Sequence, residues 1–482
     1  MLNFKLVLRI IGFLLIVEGV SMLLALLVAL IYQGPDVVAF VQSILICFVT
    51  GSVILLITRK ARPELGRREG FIVVTLVWVL FSFFGSLPYI LSDSIPNLTD
   101  AFFETMSGFT TTGASVLDDI ESMPSGILFW RSLTQWLGGM GIIVLSLAIL
   151  PIFGIGGMQL FNAEVPGIVA DKINPRIQET AKTLWLIYVL FTLAETLLLW
   201  IGGMTLFDAI NHSFTTLATG GYSTKQASIA YWPSPYIQYV ITFFMVLAGM
   251  NFSLSFLILT GRIKEAIRNE ELRFYIYFIV GFTLILWGGL LLTTATGVEQ
   301  AFRVAIFQVA SIITTTGYAT VDYMKWVPFL IFVLFAVFFF GGSTGSTGGG
   351  LKIMRVVLLL KNSYYELRRI MHPKAMIPVR FNGKPVSEQI VGNVLAFFMF
   401  YLAIFFISSI LMLLVIPDFP AAMGAVATSM GNIGPGLGVF GPAASFSALH
   451  PAGKWFLSFL MMLGRLELFT VLVLFSPAFW KN

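Results

Sequence analysis

Ten apolar stretches leave this chain few ways to fold: they lie near residues 6–31, 37–58, 71–91, 127–150, 183–204, 236–260, 274–295, 327–360, 390–416 and 453–476. A helix needs about 20 predominantly apolar residues to cross the hydrocarbon core of a bilayer, and each run supplies that length. No water reaches that core, so backbone amides and carbonyls must be paired within the protein, which restricts the runs to helices. Composition agrees: of 482 residues, 57% are hydrophobic and 11% charged, against about a quarter charged in an ordinary soluble domain. The expected fold is an all-α, multi-pass membrane protein. The first run starts almost at once and lacks a small-residue cleavage site, so it reads as a retained helix.

Ten crossings put both termini on one side. Alternate connections are basic: Arg59, Lys60, Arg62, Arg67 and Arg68, then Arg262, Lys264, Arg268 and Arg273, then the segment 352–384 with Lys352, Arg355, Lys361, Arg368, Arg369, Lys374, Arg380 and Lys384. The other connections hold Asp93, Asp118, Asp119 and Glu121. By the positive-inside rule the basic loops and both termini are cytoplasmic. The same rule accounts for the net charge of +5 without a nucleic-acid partner. Segments 151–181 and 361–388 are the only sizeable cytoplasmic pieces, and neither reads as a folded soluble domain. The single cysteine, Cys47, excludes an internal disulfide or a cysteine metal cluster, and His212, His372 and His450 lack ligand spacing.

An internal repeat narrows the architecture. The connections after the third, fifth, seventh and ninth runs read AFFETMSGFTTTGAS, AINHSFTTLATGGYS, AIFQVASIITTTGYA and AMGAVATSMGNIGPG, starting at Ala101, Ala209, Ala305 and Ala422. Twelve residues after each alanine stands a glycine, Gly113, Gly221, Gly317 or Gly434, and six before each glycine a hydroxyl, Ser107, Thr215, Ser311 or Thr428. Short outer loops that happen to contain glycine do not account for four matched registers; repeated structural units do. Each unit is expected to be helix, re-entrant pore helix, extended segment and helix.

Non-helical backbone sits at membrane depth only when buried in protein or lining water. Four such segments around an axis meet both conditions, and their glycines let carbonyls point inward. A carbonyl ring replaces the hydration shell of a cation, as in potassium-channel filters. The candidate cation-facing residues are Thr111, Thr112 and Gly113, then Thr219, Gly220 and Gly221, then Thr315, Thr316 and Gly317, then Asn432, Ile433 and Gly434. Each pore helix aims the negative end of its dipole at the cavity, and Asp100, Asp208 and Asp418 stand just before three of the helices, at the positive end. The filter strings hold no carboxylate ring of the kind expected in many divalent sites, so they select a monovalent cation.

The stretch GGSTGSTGGGLK, residues 341–352, interrupts the eighth run. It fails as a phosphate loop: counted from Gly345, Leu351 stands where lysine is needed, and Lys352 comes one place late with Ile353 rather than Ser or Thr after it. Its six glycines each cost a helix about 1 kcal/mol, so it is expected to unwind into a loop within the pore, able to block permeation and retract. A passive kink for close packing is the alternative, although a packing motif needs fewer glycines. Arg465, in MMLGRLELF, is a charge within the last run; such a group costs about 2.5–3.5 kcal/mol to insert and should face a cavity or a partner. The alternative there is a structural pairing with Glu467 or Glu195. Glu104 reads as a buried hydrogen-bonding anchor, and WLGGMG at 136–141 as close packing in the first inner helix, with a hinge as the alternative.

TTTGAS, ATGGYST, TTTGYAT and GNIGPGLG resemble the four filters of the TrkH branch of the Trk/Ktr/HKT potassium transporter superfamily, over essentially the whole chain. The resemblance implies four membrane–pore–membrane repeats around one pore, plus two extra N-terminal helices: 1–60 the helix pair, then repeats at 61–155, 156–262, 263–375 and 376–482. It implies a gating loop at 341–350, comprising Gly341, Gly342, Ser343, Thr344, Gly345, Ser346, Thr347, Gly348, Gly349 and Gly350, with Arg465 beneath the filter as a barrier to cations. Asn432 and Ile433 depart from the small hydroxyls usual in the fourth filter. The implied activity is potassium uptake through a bacterial inner membrane, with potassium as permeant ligand, no organic cofactor and no enzymatic role. The implied partners are membrane lipid, a second copy of the chain and a cytosolic TrkA-type nucleotide-binding subunit. Two rival activities remain: a sodium- or proton-coupled potassium carrier, which should need ionisable groups along the path, and a membrane enzyme, which lacks a complete phosphate loop, a metal cluster or a nucleophile–base pair.

Overall fold

Helices form where the apolar runs demand them. The computed structural model describes residues 2–61, 66–141, 177–375 and 377–481. A hairpin of α1 (Phe4–Ile31) and α2 (Val37–Ile57) leads. The first unit comprises α3 (Arg67–Gly85), α4 (Leu98–Phe109) and α5 (Ser125–Trp136), which passes into a π turn at Leu137–Gly141. The second holds α6 (Ile177–Ile201), α7 (Leu206–Leu217), α8 (Pro235–Ala248) and α9 (Phe252–Leu259). The third holds α10 (Glu270–Thr293), α11 (Val298–Ile313), α12 (Pro328–Val337) and α13 (Ile353–Met371). A two-residue β pair, Arg380–Phe381 with Lys384–Pro385, leads to the fourth unit of α14 (Glu388–Leu413), α15 (Phe419–Gly431) and α16 (Pro451–Arg465).

Length and burial separate the helices into two kinds. In α10 only 22% of the most apolar window is buried, and Tyr277, Leu284 and Leu292 project outward. By contrast, every residue of α4 from Ala101 to Phe109 is buried. At 12 residues, α4 and α7 are about 18 Å long, too short to cross a hydrocarbon core of about 30 Å. They enter and turn back within the protein. Asn97 and Thr205 cap them by accepting the Thr99 and Asp208 amides, which satisfies orphan donors of the first turn. Asp100 and Asp208 lie inside that turn, a little later than the sequence suggested, and Asp418 is the cap residue of α15. The interior they define is polar: Ser107, Thr111, Thr219, Ser311, Thr315 and Asn432 are fully buried, while leucine and phenylalanine cover the outside.

The inner helices depart from the expected straight crossings. Among the described residues, six helices are long and apolar enough to span a membrane, and two bent helix pairs reach that length and apolarity only together: α8 with α9 at 108°, and α16 with Phe469–Phe475 at 111°. The glycine stretch divides α12 from α13, and α5 leaves α geometry at its π turn. At or just before three of these breaks a glycine is pressed against a re-entrant helix end: a side chain on Gly138 would strike the Phe109 carbonyl, on Gly249 the Thr314 side chain, and on Gly464 the Met430 carbonyl. WLGGMG is therefore a close-packing site that also ends the α-helix. The end of the 127–150 run, most of the 151–181 piece and the boundary at 155 fall outside the described residues. Both termini meet the first basic loop on one face: the Asn3 amide donates to Glu69 Oε1 at 3.0 Å and Arg68 Nη1 to the Lys481 carbonyl at 2.9 Å.

Candidate functional site

The segments after the re-entrant helices share one backbone conformation. Thr111, Thr219, Thr315 and Asn432 have φ of 53°, 54°, 59° and 54°, and the glycines two residues later, Gly113, Gly221, Gly317 and Gly434, have 83°, 73°, 82° and 108°. The residue between has negative φ in each case. Alternating left- and right-handed residues gather successive amides on one side and leave the carbonyls on the other. The amides turn back to the helix end: Thr112, Gly220, Thr316 and Ile433 donate to the carbonyls of Ser107, Thr215, Ser311 and Thr428 at 2.8, 2.8, 2.8 and 3.0 Å. The four hydroxyl residues picked out by register thus act first through their main chains. A β-branched residue held in the left-handed region stores about 1–3 kcal/mol of strain. Asparagine enters that region more readily, so Asn432 preserves the backbone of the fourth segment despite its different side chain.

The segments close into a ring. A side chain on Gly113 would strike the carbonyl oxygen of Gly220, one on Gly221 that of Thr316, one on Gly317 that of Ile433, and one on Gly434 that of Thr112. Each unit leans on the next in chain order, and the fourth returns to the first. Glycine is required twice over, by φ and by the neighbouring carbonyl. All twelve candidate cation-facing residues lie in this ring of four segments.

The glycine stretch lies against this ring. Its ends are tied, Gly341 N–H to the Leu351 carbonyl at 2.7 Å and Ile353 N–H to the Gly342 carbonyl at 3.2 Å, so 341–352 forms a pinched loop. The loop touches three units from within. Gly349 N–H donates to Thr315 Oγ1 at 2.7 Å, Thr347 Oγ1 donates to the Leu217 carbonyl at 2.9 Å, and a side chain on Gly349 would meet the Gly431 carbonyl at 2.6 Å. Ser343 N–H reaches the Gly249 carbonyl at 2.8 Å, and Phe252 N–H returns to the Gly345 carbonyl at 3.1 Å, so the break between α8 and α9 receives the loop. Thr344 N–H donates to Glu271 Oε1 at 2.6 Å, and Lys352 Nζ donates to the Gly348 carbonyl. Ser346 Oγ bonds the Ser343 carbonyl at 2.6 Å, while Gly345 and Gly350 take the left-handed φ of 74° and 66° that the tight course needs. Arg465 completes the contact with the first unit: Nη1 donates to the Thr347 carbonyl at 2.6 Å, and Nη2 to the Gly138 and Gly139 carbonyls at 2.6 and 2.9 Å. Glu467, the acid beside it in sequence, takes Arg355 as its ion-pair partner.

The profile of TrkH, described as a cation transport protein, matches residues 37–482. The chain belongs to the TrkH family. The Trk system potassium uptake protein TrkH of Salmonella typhimurium is 45% identical over 490 residues, spanning 100% of both chains. The Trk system potassium uptake protein TrkG of Escherichia coli is 37% identical over 476 residues, 98% of this chain and 97% of that one. The crystal structure of the potassium transporter TrkH from Vibrio parahaemolyticus matches with a TM-score of 0.89 at 39% identity, covering 100% of both chains. The expected all-α membrane fold is thus that of a solved TrkH.

In this TrkH-family chain, residues that the sequence reading passed over buttress the ring. Glu104 is the expected anchor: its carboxylate accepts from Val116 N–H at 2.8 Å, Ser115 Oγ at 3.0 Å and Arg131 Nε at 2.6 Å. Arg131 went unnoticed, although a charge inside an apolar run is itself a signal. It also donates to the Ser223 carbonyl at 2.9 Å and stacks 3.6 Å from the Tyr222 ring centroid. Tyr222 Oη donates to the Glu104 carbonyl at 2.7 Å, and Tyr318 Oη to the His212 carbonyl at 3.1 Å, so each tyrosine staples its segment to the preceding unit. Arg131→Ala would strand a buried carboxylate, which costs about 3–5 kcal/mol. The melting temperature of the purified protein in detergent should fall clearly; a shift within the measurement scatter would mean that the pair is dispensable.

Proposed function

We propose that this chain takes up potassium across the inner membrane of a bacterium through a selective, gated, channel-like pore. The closed ring of glycines and neighbouring carbonyls carries the reading. The amides of residues 111–113, 219–221, 315–317 and 432–433 turn back to helix ends, so the carbonyls of the four segments, with that of Gly220 shared with Gln135, are the groups left to replace a cation's water. Four helix C-termini add partial negative charge. Thr111 Oγ1 and Asn432 Oδ1 are buried polar oxygens without a hydrogen-bond partner among the described residues, which suits an ion that still carries water below the ring. Residues 341–350 are the gate and Arg465 its positive latch. Because the ring contains no ionisable side chain, membrane potential suffices as the driving force in this reading.

The relatives named as Trk system proteins favour assembly with a cytosolic TrkA-type nucleotide-binding subunit, seated on the basic face where both termini and the loops at 59–70, 261–273 and 352–384 are cytoplasmic. A homodimer, each copy with its own pore and surrounded by lipid, completes the assembly. The test is uptake into proteoliposomes under an imposed voltage with no coupling gradient. Potassium uptake that follows voltage and exceeds sodium uptake is expected. Uptake that begins only when a sodium or proton gradient is added would replace the pore by a coupled carrier.

A further inference from the structure

Three ring segments carry a side chain immediately before their final glycine, namely Thr112, Thr316 and Ile433, but the second has Gly220. Backbone conformation does not require this glycine, since its φ is negative like that of its three counterparts. The space is what forbids a side chain. A Cβ on Gly220 would collide with Cδ, Oε1 and Nε2 of Gln135, which belongs to α5 of the first unit.

Gln135 is fully buried and both ends of its amide are engaged. Nε2 donates to the Gly220 carbonyl at 2.8 Å, and Oε1 accepts from Tyr222 N–H at 3.1 Å. Reversing the amide would set carbonyl against carbonyl and N–H against N–H, so its partners fix its orientation. It therefore grips the second segment on both sides of Gly221. The carbonyl it holds is the one packed against Gly113.

We propose that Gln135 is a positioning residue that sets cation discrimination by restraining the Gly220 carbonyl, and that Gly220 is glycine to admit it. The inference rests on the potassium-pore reading. A hydrogen bond to a carbonyl oxygen occupies one lone pair and lowers the field that the oxygen presents to an ion. It also keeps that oxygen from moving inward. Discrimination between potassium and sodium depends on the number and field strength of coordinating carbonyls. A released Gly220 carbonyl can close on the smaller ion, so the direction of the effect is toward sodium.

The experiment measures potassium and sodium uptake side by side in voltage-driven proteoliposomes. Gln135→Leu keeps the volume but loses donor and acceptor; the sodium-to-potassium ratio should rise by about tenfold, the order expected from one or two lost buried hydrogen bonds. A ratio within twofold of the original, in protein with unchanged melting and gel-filtration behaviour, would overturn the proposal. A second pair of variants stands even if Gln135→Leu fails to fold. Gly220→Thr should abolish uptake while Gln135 is present, and Gly220→Thr with Gln135→Ala should restore it, because the second segment then matches Thr112 and Thr316. Full activity of Gly220→Thr alone, or no recovery in the double variant, would sink it. If the unmodified protein already lacks potassium preference, the pore reading itself has failed, which is a separate result.

Discussion

Replacing Gly317 by alanine is expected to abolish selective potassium uptake while leaving the chain folded. At φ 82° the alanine would carry strain of about 1–3 kcal/mol. Its methyl would also be driven onto the Ile433 carbonyl, and a second clash, at 2.8 Å, would arise with Pro435. Relief can come only by rotating the Ile433 carbonyl away or by opening the contact between the third and fourth units. Either movement spoils the ring for potassium. Taken on strain alone, the competent ring is depopulated roughly 5- to 150-fold, and the displaced carbonyl removes a ligand as well. Uptake assays with matched protein levels decide the matter. Near-normal potassium uptake by Gly317→Ala would show that the ring contacts do not define the pore.

Arg465→Ala should act in the opposite direction and raise uptake in the absence of any cytosolic partner. The guanidinium holds the loop through the Thr347 carbonyl and, through the Gly138 and Gly139 carbonyls, ties it to the first inner helix. Charge-assisted hydrogen bonds of this kind contribute about 1.5–3 kcal/mol each, so losing one with no replacement shifts a closed-to-open loop equilibrium by about tenfold or more. Removing the charge also lowers the barrier to a cation in a site of low dielectric. Arg465→Lys keeps the charge but not the fork that reaches three carbonyls, and should fall between the two. Unchanged or reduced uptake by well-folded Arg465→Ala protein would end the latch assignment.

The ring was legible because its chemistry has a fixed register. A glycine with positive φ and a helix-end residue six places earlier had to recur in every unit, and Gly113, Gly221, Gly317 and Gly434 did. The loop was legible for the same reason that it unwinds, six glycines in an apolar run. The breaks at 249–251 and 466–468 were not. Neither contains proline, and MVLAGMNFS or LGRLELF reads as continuous helix by composition. Those helices end because tertiary contacts outweigh local preference: Ser343 takes the Gly249 carbonyl, and Glu467 and Leu468 adopt φ of 54°. Arg131 and Gln135 were missed for a different reason. FWRSLTQW announces polar residues in a membrane run, but only the fold reveals that they serve Glu104 in their own unit and Gly220 in the next.

Writing four units into one polypeptide makes something available that four identical subunits cannot have. In a symmetric assembly every residue occurs four times around the axis. A twelve-residue insertion beneath the ring would then compete with its own copies for a single volume, and all would be excluded. Here the pinched loop occurs once, in the third unit, and the other units present surfaces shaped to receive it: the Leu217 carbonyl, the opened turn at Gly249 and the Arg465 side chain. The second and fourth units, with the first tied on through Arg465, form the seat of a loop that the third supplies. Changes at the seat need not alter the four-part symmetry of the ring above it, so in the proposed gated pore closure and ion choice can change separately.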